Sequence, residues 1–319
     1  METLAEPNAA ARAAEPIRRL EDNVAQVVRG KRDVIRQATV CLLARGHILI
    51  QDVPGVGKTT LAQALARSLG LSFQRIQFTS DLLPSDILGV SVFNQQTQSF
   101  EFVPGPVFAH VVLADEINRA SPKTQSALLE AMEERKVSID RKRYQLPEPF
   151  VVLATQNPLE YHGTFPLPES QLDRFLMSLS LGYPPRLDER ALLLEGGVEH
   201  RLERLPAVLE LHELIELQDE TRKVKVADKL ADYLLALAEA SRNDGELLLG
   251  VSTRGLQGLM RAAQANALCE GRSYALPDDV QKLAPAVLAR RVVLRRSNAD
   301  LDIARRTIER LVASVPVPI

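Results

Sequence analysis

Cysteine is nearly missing from this chain: Cys41 and Cys269 are the only two in 319 residues. They lie far apart, without the short spacing of a metal site or the density of a disulfide framework. Core filling in a reducing cytosol is the expectation for both. An excess of charge of one sign is missing too, since 39 Lys and Arg face 41 Asp and Glu, a net charge of −2. That balance leaves no electrostatic footprint for nucleic acid, although local basic patches remain open. No run approaches the ~20 apolar residues that span a bilayer. The first residues, "METLAEPNAAARAAEP", lack the apolar stretch of a signal peptide, so any membrane link is expected to pass through a partner. What is present is a usual globular balance, 45% hydrophobic and 25% charged, in a length that suits two compact units better than one.

One further absence concerns a motif. "HILIQDVPGVGKTTLAQALARSLG", His47 to Gly70, follows the phosphate-loop pattern G-x-x-x-x-G-K-[ST] except that Asp52 stands at the first glycine. A phosphate loop needs a strand, a turn with inward-facing N–H groups, and a helix whose positive end meets the anion. His47 to Gln51 reads as a short buried strand. Thr59 to Leu69 has helical apolar spacing and stops at Gly70. Pro54 stiffens the turn, and Gly55 and Gly57 permit close phosphate approach. Around Val56 and Thr60, Lys58 is placed to reach the outer phosphates and Thr59 to hold a magnesium ion. Asp52 sits at the strand exit, where loss of glycine is tolerable if a second nucleotide motif follows.

Such a motif follows. Val111 to Ala114 reads as a strand buried on both faces, as in a parallel sheet, and ends in Asp115-Glu116. Ligands of such sheets bind at the carboxyl ends of the strands. An aspartate there can hold the metal, usually through water, and the adjacent glutamate can polarise an attacking water. Alone, a strand ending in two acids is as consistent with a surface turn.

The rest of the chain divides near Tyr183. Residues 1–16 are expected to be flexible, and Ile17 to Val28 to form an amphipathic helix, followed by a second helix ending near Gly46. "SFQRIQF" alternates as a strand and "SDLLPSDILG" suggests a short helix. "SVFNQQTQSFEFVPGPVF" and "KVSIDRKRYQL" read as hairpins. Ser121-Pro122 opens a helix, and "FVVLATQNP" is a buried strand ending in polar residues that include Asn157. After Pro184-Pro185 helical patterns dominate, from Leu187 to Leu288. The expected units are 17–183, an α/β core with two hairpin insertions, and 184–319, an all-α lid. His47 and His162 have no partner cluster and read as structural or surface residues.

The words "DVPGVGKTTLA", "LADEINRASPKTQSALLEAMEE", "VLATQNP" and "FPLPESQLDRFLM", in that order, resemble the AAA+ ATPases and within them the MoxR family, over roughly Leu20 to Arg296. Related MoxR proteins also vary at the position of Asp52. The resemblance implies a P-loop core with a parallel sheet flanked by helices, ATP and Mg2+ as ligands, and a six-membered ring of identical chains. It implies roles as well. Asn157 matches the polar sensor that positions the attacking water; the competing reading is a turn cap before Pro158. Arg174 looks like an arginine finger inserted into the neighbouring subunit's site; the competing reading is an ion pair with Asp173 or Glu169. Arg254 resembles a second sensor coupling the lid to the γ-phosphate; the competing reading is a solvated helix-start arginine. The second hairpin's basic tip, Asp140 to Arg143, reads best as a solvated turn, because the aromatic interleaving of a strand-binding surface is missing nearby. Arg119 and Lys123 are candidates for a subunit interface.

The implied activity is Mg-dependent ATP hydrolysis that draws the lid closed through Lys58, Thr59, Asp115 and Arg254 on one anion. The implied output is chaperone-like remodelling of a client, together with a protein carrying a von Willebrand factor A domain. Three readings compete: the motor of a magnesium-chelatase-like complex, a DNA motor of the same branch, and a nucleotide-gated binding module with negligible turnover. The net charge argues against DNA, and Glu116, Asn157 and Arg174 argue against the module.

Overall fold

A computed structural model describes residues 9–157, 163–295 and 301–317. Helices α1 (Ala9–Ala25) and α2 (Arg32–Leu43) precede strand β1 (Ile48–Gln51), helix α3 (Lys58–Ser68), β2 (Phe73–Gln77) and the short α4 (Pro84–Leu88). A hairpin of β3 (Gly89–Asn94) and β4 (Ser99–Pro104) leads to β5 (Val111–Asp115) and α5 (Pro122–Glu134). A second hairpin, β6 (Lys136–Ile139) and β7 (Lys142–Gln145), is followed by β8 (Val151–Gln156), α6 (Glu169–Leu172) and β9 (Met177–Leu179). The C-terminal part comprises α7 (Arg186–Leu194), α8 (Glu199–Arg204), α9 (Leu211–Lys223), α10 (Asp228–Arg242), β10 (Leu247–Leu249), α11 (Thr253–Cys269), α12 (Pro277–Leu288), β11 (Val293–Leu294) and α13 (Leu301–Ser314).

Five strands form one sheet in the order β2-β5-β8-β1-β9, every neighbouring pair parallel. Uninterrupted apolar runs are what such a sheet requires, because helices cover both faces. The pleat divides the runs cleanly. Ile48, Ile50, Val111, Leu113, Val151 and Leu153 enter one core with α1–α3 and the C-terminal helices. Leu49, Val112, Ala114, Val152 and Ala154 enter a second core with Leu128, Leu129 and Met132 of α5. Each buried Val, Leu, Ile or Met among them contributes about 1.5–3 kcal/mol. The register sets Gln51 beside Gln156, Ala114 beside Ala154, and Gln77 beside Asp115. The loops after β1, β5 and β8 therefore leave the sheet at the same edge.

Both hairpins form where expected. Asn94 Oδ1 accepts the N–H groups of Gln96 and Thr97 at 2.8 and 3.3 Å, closing the first turn. Asp140 and Arg141 both have positive φ, 49° and 65°, the geometry of a tight two-residue hairpin turn. Tyr144 stacks on Phe102 with ring centroids 4.0 Å apart, joining one hairpin to the other.

Two expectations need correction. The described part of the N-terminal segment, from Ala9, is helical, and α1 runs through Pro16. Ala10, Ala13, Ala14, Ile17, Leu20 and Val24 form a buried stripe against α2, α3, α9 and α11, and this packing outweighs the hydrogen bond that the proline removes. The lid is not purely helical, because β10 and β11 pair antiparallel within it. Strand β9 and helices α8 and α13 were not anticipated. Among the described residues no helix is long and apolar enough to cross a membrane.

Candidate nucleotide site

The loop after β1 has the backbone that its glycines permit: φ is 84° at Gly55 and 95° at Gly57, where side chains other than glycine are strained. Gly57 immediately precedes α3, so the helix's free N–H groups open toward the loop. Lys58 Nζ donates to the carbonyl of Asp52 at 2.8 Å. The Asp52 side chain takes a separate part. Its Oδ2 accepts from the Leu181 and Gly182 N–H groups at 2.6 and 2.8 Å and from Ser180 Oγ at 3.1 Å. The residue that replaces a glycine thus fastens the phosphate loop to the chain leaving β9.

A cavity of about 490 Å3 opens at this edge of the sheet, a size suited to a small ligand. Pro54, Gly55, Val56, Gly57, Lys58, Thr59 and Thr60 line it, together with Asp115, Glu116 and Asn157. The lining also includes the apolar side chains of Val27, Val28, Leu192 and Val198. The carboxylates are held by neighbours. Thr155 Oγ1 donates to Asp115 Oδ1 at 2.5 Å and accepts the Glu116 N–H at 2.8 Å. Glu116 has a left-handed backbone, φ 56°, and its Oε2 accepts from Gln77 Nε2 and Arg119 Nη1, both at 2.9 Å. Arg75 reaches Asp115 Oδ2. Arg119 is thus engaged within its own chain.

Oxygen donors of this kind, the Asp115 carboxylate and the Thr59 hydroxyl, suit a hard divalent cation such as Mg2+. Among the described residues no group of three or more His, Cys, Asp or Glu is placed to bind a metal. Cys41 and Cys269 are buried and free, their thiol pKa values pushed up by burial. His47 is a core residue. Its Nδ1 accepts the Val152 N–H at 3.0 Å and its Nε2 lies 3.2 Å from the Met132 carbonyl, while burial lowers its pKa to about 4. His162 lies outside the described residues.

Arg174 and Arg254 are not part of the cavity lining. Arg174 Nε contacts Glu133 Oε2 at 3.0 Å and Arg254 Nη2 contacts Glu133 Oε1 at 2.5 Å. Glu133 is correspondingly lowered in pKa, chiefly by the Arg254 hydrogen bond and also by the charge of Arg174. Arg254 thus lies apart from the cavity that Lys58, Thr59 and Asp115 line, paired instead with Glu133. The start of α11, capped by Ser252, meets the end of α5 through the Arg254–Glu133 pair, and the buried Arg291 binds Asp173 at 2.6 Å and the carbonyls of Phe175 and Leu176. Arg75, Gln77 and Thr155 were missed. The available signal was the pair of polar residues at alternate positions of "FQRIQ", on one face of a strand next to the acidic one.

A phosphate loop and an acidic strand end at one edge of a parallel sheet define a nucleoside-triphosphate-binding α/β protein. A family model for the ATPase family associated with various cellular activities (AAA) matches residues 47–177, and a model for the AAA lid domain matches residues 239–311. The chain is 48% identical to the uncharacterized protein YeaC of Bacillus subtilis, over 93% of each chain. It is 38% identical to the chaperone MoxR1 of Mycobacterium tuberculosis, over 98% of this chain and 86% of that one. Among solved structures, a candidate ATPase from Cytophaga hutchinsonii superposes with a TM-score of 0.88 at 36% identity, covering 97% of each chain. The chain belongs to the MoxR family of AAA+ ATPases.

Proposed function

We propose that this chain hydrolyses ATP in a Mg2+-dependent manner within a six-membered ring and uses the energy to remodel a partner protein. The observation that carries this reading is the convergence of Lys58, Thr59, Asp115, Glu116 and Asn157 on one cavity beside the start of α3. The apolar lining residues Val27, Val28, Leu192 and Val198 are suited to the base, and the helix start takes the phosphates. Thr59 and Asp115 would hold Mg2+, which when bound neutralises charge on the outer phosphates. Glu116 polarises the attacking water and Asn157 orients it.

Arg174 completes the site of the neighbouring chain, stabilising charge on the transferring phosphate. Arg254, bound to the same carboxylate as Arg174, serves that same neighbouring nucleotide rather than its own. The similarity to a chaperone supports a client protein as substrate; the reading adds a von Willebrand factor A domain protein as companion and the cytoplasm as location. We also place residues 17–183 in the nucleotide-binding core and 184–319 in the lid.

The decisive comparison is between two variants. Lys58→Ala is expected to lose ATP binding, whereas Glu116→Gln retains binding and loses turnover by about a hundredfold or more. Equal turnover in Glu116→Gln and the parent protein would overturn the assignment. Affinity capture on ATP-loaded Glu116→Gln then identifies the client.

A further inference from the structure

Arg75 belongs to none of the motifs, yet it lines the nucleotide cavity together with Lys58 and Asp115. It projects from β2, and two of its nitrogens converge on one oxygen of the neighbouring strand's carboxylate: Nε and Nη2 lie 3.1 and 2.5 Å from Asp115 Oδ2. Nη2 also donates to Gln77 Oε1 at 3.1 Å. Thr155 occupies the other oxygen, Oδ1. Both oxygens of the carboxylate that would hold Mg2+ are therefore already engaged.

The two partners differ in freedom. The Asp115 side chain is 13% exposed and that of Arg75 50%. Asp115 is fixed from below by Thr155, whereas the guanidinium stands half in solvent on a long, rotatable stem. Strand pairing does not depend on the contact, because β2 and β5 are joined by a parallel ladder from Phe73–Val111 to Gln77–Asp115. A guanidinium and a divalent cation on the same carboxylate oxygen repel each other strongly at such range.

Resting on the reading of Asp115 as a metal-holding residue, we propose that Arg75 is a displaceable counter-ion: it competes with the divalent cation for Asp115 and releases it when a polyphosphate enters the cavity. The nucleotide-free site then presents a neutralised carboxylate and binds free metal poorly. A bound polyphosphate offers Arg75 another anion within the same cavity. Metal and nucleotide affinities are coupled through this exchange, and the coupling is reciprocal. Arg75 acts here as a positioning residue for Asp115, not as a catalytic one.

The test is a titration with Mn2+ followed by electron paramagnetic resonance, with and without ADP, which reads metal binding without turnover. Arg75→Gln is expected to tighten Mn2+ binding to the nucleotide-free protein by roughly three- to tenfold and to reduce the enhancement that ADP brings. Arg75→Lys keeps a positive charge and stays near the parent value, and Asp115→Asn loses the site in both conditions. Unchanged or weaker Mn2+ binding in nucleotide-free Arg75→Gln overturns the proposal. Should that variant fail to fold, the Nε–H resonance of Arg75 in the parent protein decides. Its displacement on adding Mg2+ with ADP supports the exchange, and its constancy refutes it. Binding of a fluorescent ADP without metal is measured in parallel: its absence in the parent protein would sink the nucleotide reading itself, a failure distinct from an unaltered Mn2+ affinity.

Discussion

Arg174 and Arg254 are held by opposite oxygens of a single carboxylate: Arg174 Nε lies 3.0 Å from Glu133 Oε2, and Arg254 Nη2 lies 2.5 Å from Oε1. One residue comes from the segment after α6 and the other opens α11, so the core and the lid present their cations side by side. Both are expected to act on a neighbouring chain. Arg174→Ala and Arg254→Ala should each keep ATP binding while turnover falls, by about 10^3-fold or more for the finger. Mixing either variant with Glu116→Gln should restore part of the activity if the proposed ring forms, because a mixed ring would bring an intact cavity next to an intact arginine. Recovery with Arg174→Ala but none with Arg254→Ala would return Arg254 to its own chain's site.

Thr155 is fully buried and bridges the acidic pair, donating to Asp115 and accepting from the Glu116 N–H. Thr155→Val preserves the shape and strands that N–H, so a loss of about 1–3 kcal/mol is expected in urea denaturation. The left-handed backbone of Glu116 loses its anchor as well, and turnover should fall with it. Thr155→Ser should retain both properties; an equal loss in the serine variant would argue for packing rather than the hydroxyl.

The pKa of His47 is lowered to about 4 by burial, against about 6.5 in an unfolded chain. Between these values the unfolded state binds the proton and the folded state does not. The stabilisation by the neutral ring is complete above about pH 6.5 and is lost as the pH falls toward 4, by about 3 kcal/mol at most. NMR titration should show no protonation of this ring above about pH 5. A midpoint near 6.5 would refute the buried neutral tautomer.

Asp52→Gly would restore the usual phosphate-loop glycine, yet it should destabilise the protein. The N–H groups of Leu181 and Gly182 lose a charged acceptor, a change of about 1–3 kcal/mol by the usual cost of an unpaired buried donor. Asp52→Asn keeps an acceptor oxygen and should lose less. Urea midpoints of the three proteins give the order directly, and a glycine variant as stable as the parent would show the tether to be idle.

The parts legible from sequence are those fixed by local chemistry. Gly55, Gly57 and Lys58 announce a phosphate loop through spacing alone, and Val111–Asp115 and Val151–Gln156 announce buried parallel strands through unbroken apolar runs. What escaped was decided across the chain. Helix α1 passes through Pro16 because α11 and its neighbours cover its stripe, which no local propensity encodes. Strand β9 has three residues and exists through its pairing with β1. The position of Arg254 follows from the anchoring of the lid by Arg291, and the contact of Arg75 with Asp115 from the neighbouring positions of β2 and β5. Neither the anchor nor the strand order is visible until the sheet is assembled.

The stacking of Tyr144 on Phe102 has a mechanical consequence. Helix α5 abuts α4, which continues into β3, and it also packs against β6, so both protrusions share one root. That root begins at Pro122, a few residues beyond Glu116. A tilt of α5 would therefore reach both arms at once, with the aromatic contact between them tying the two projections together.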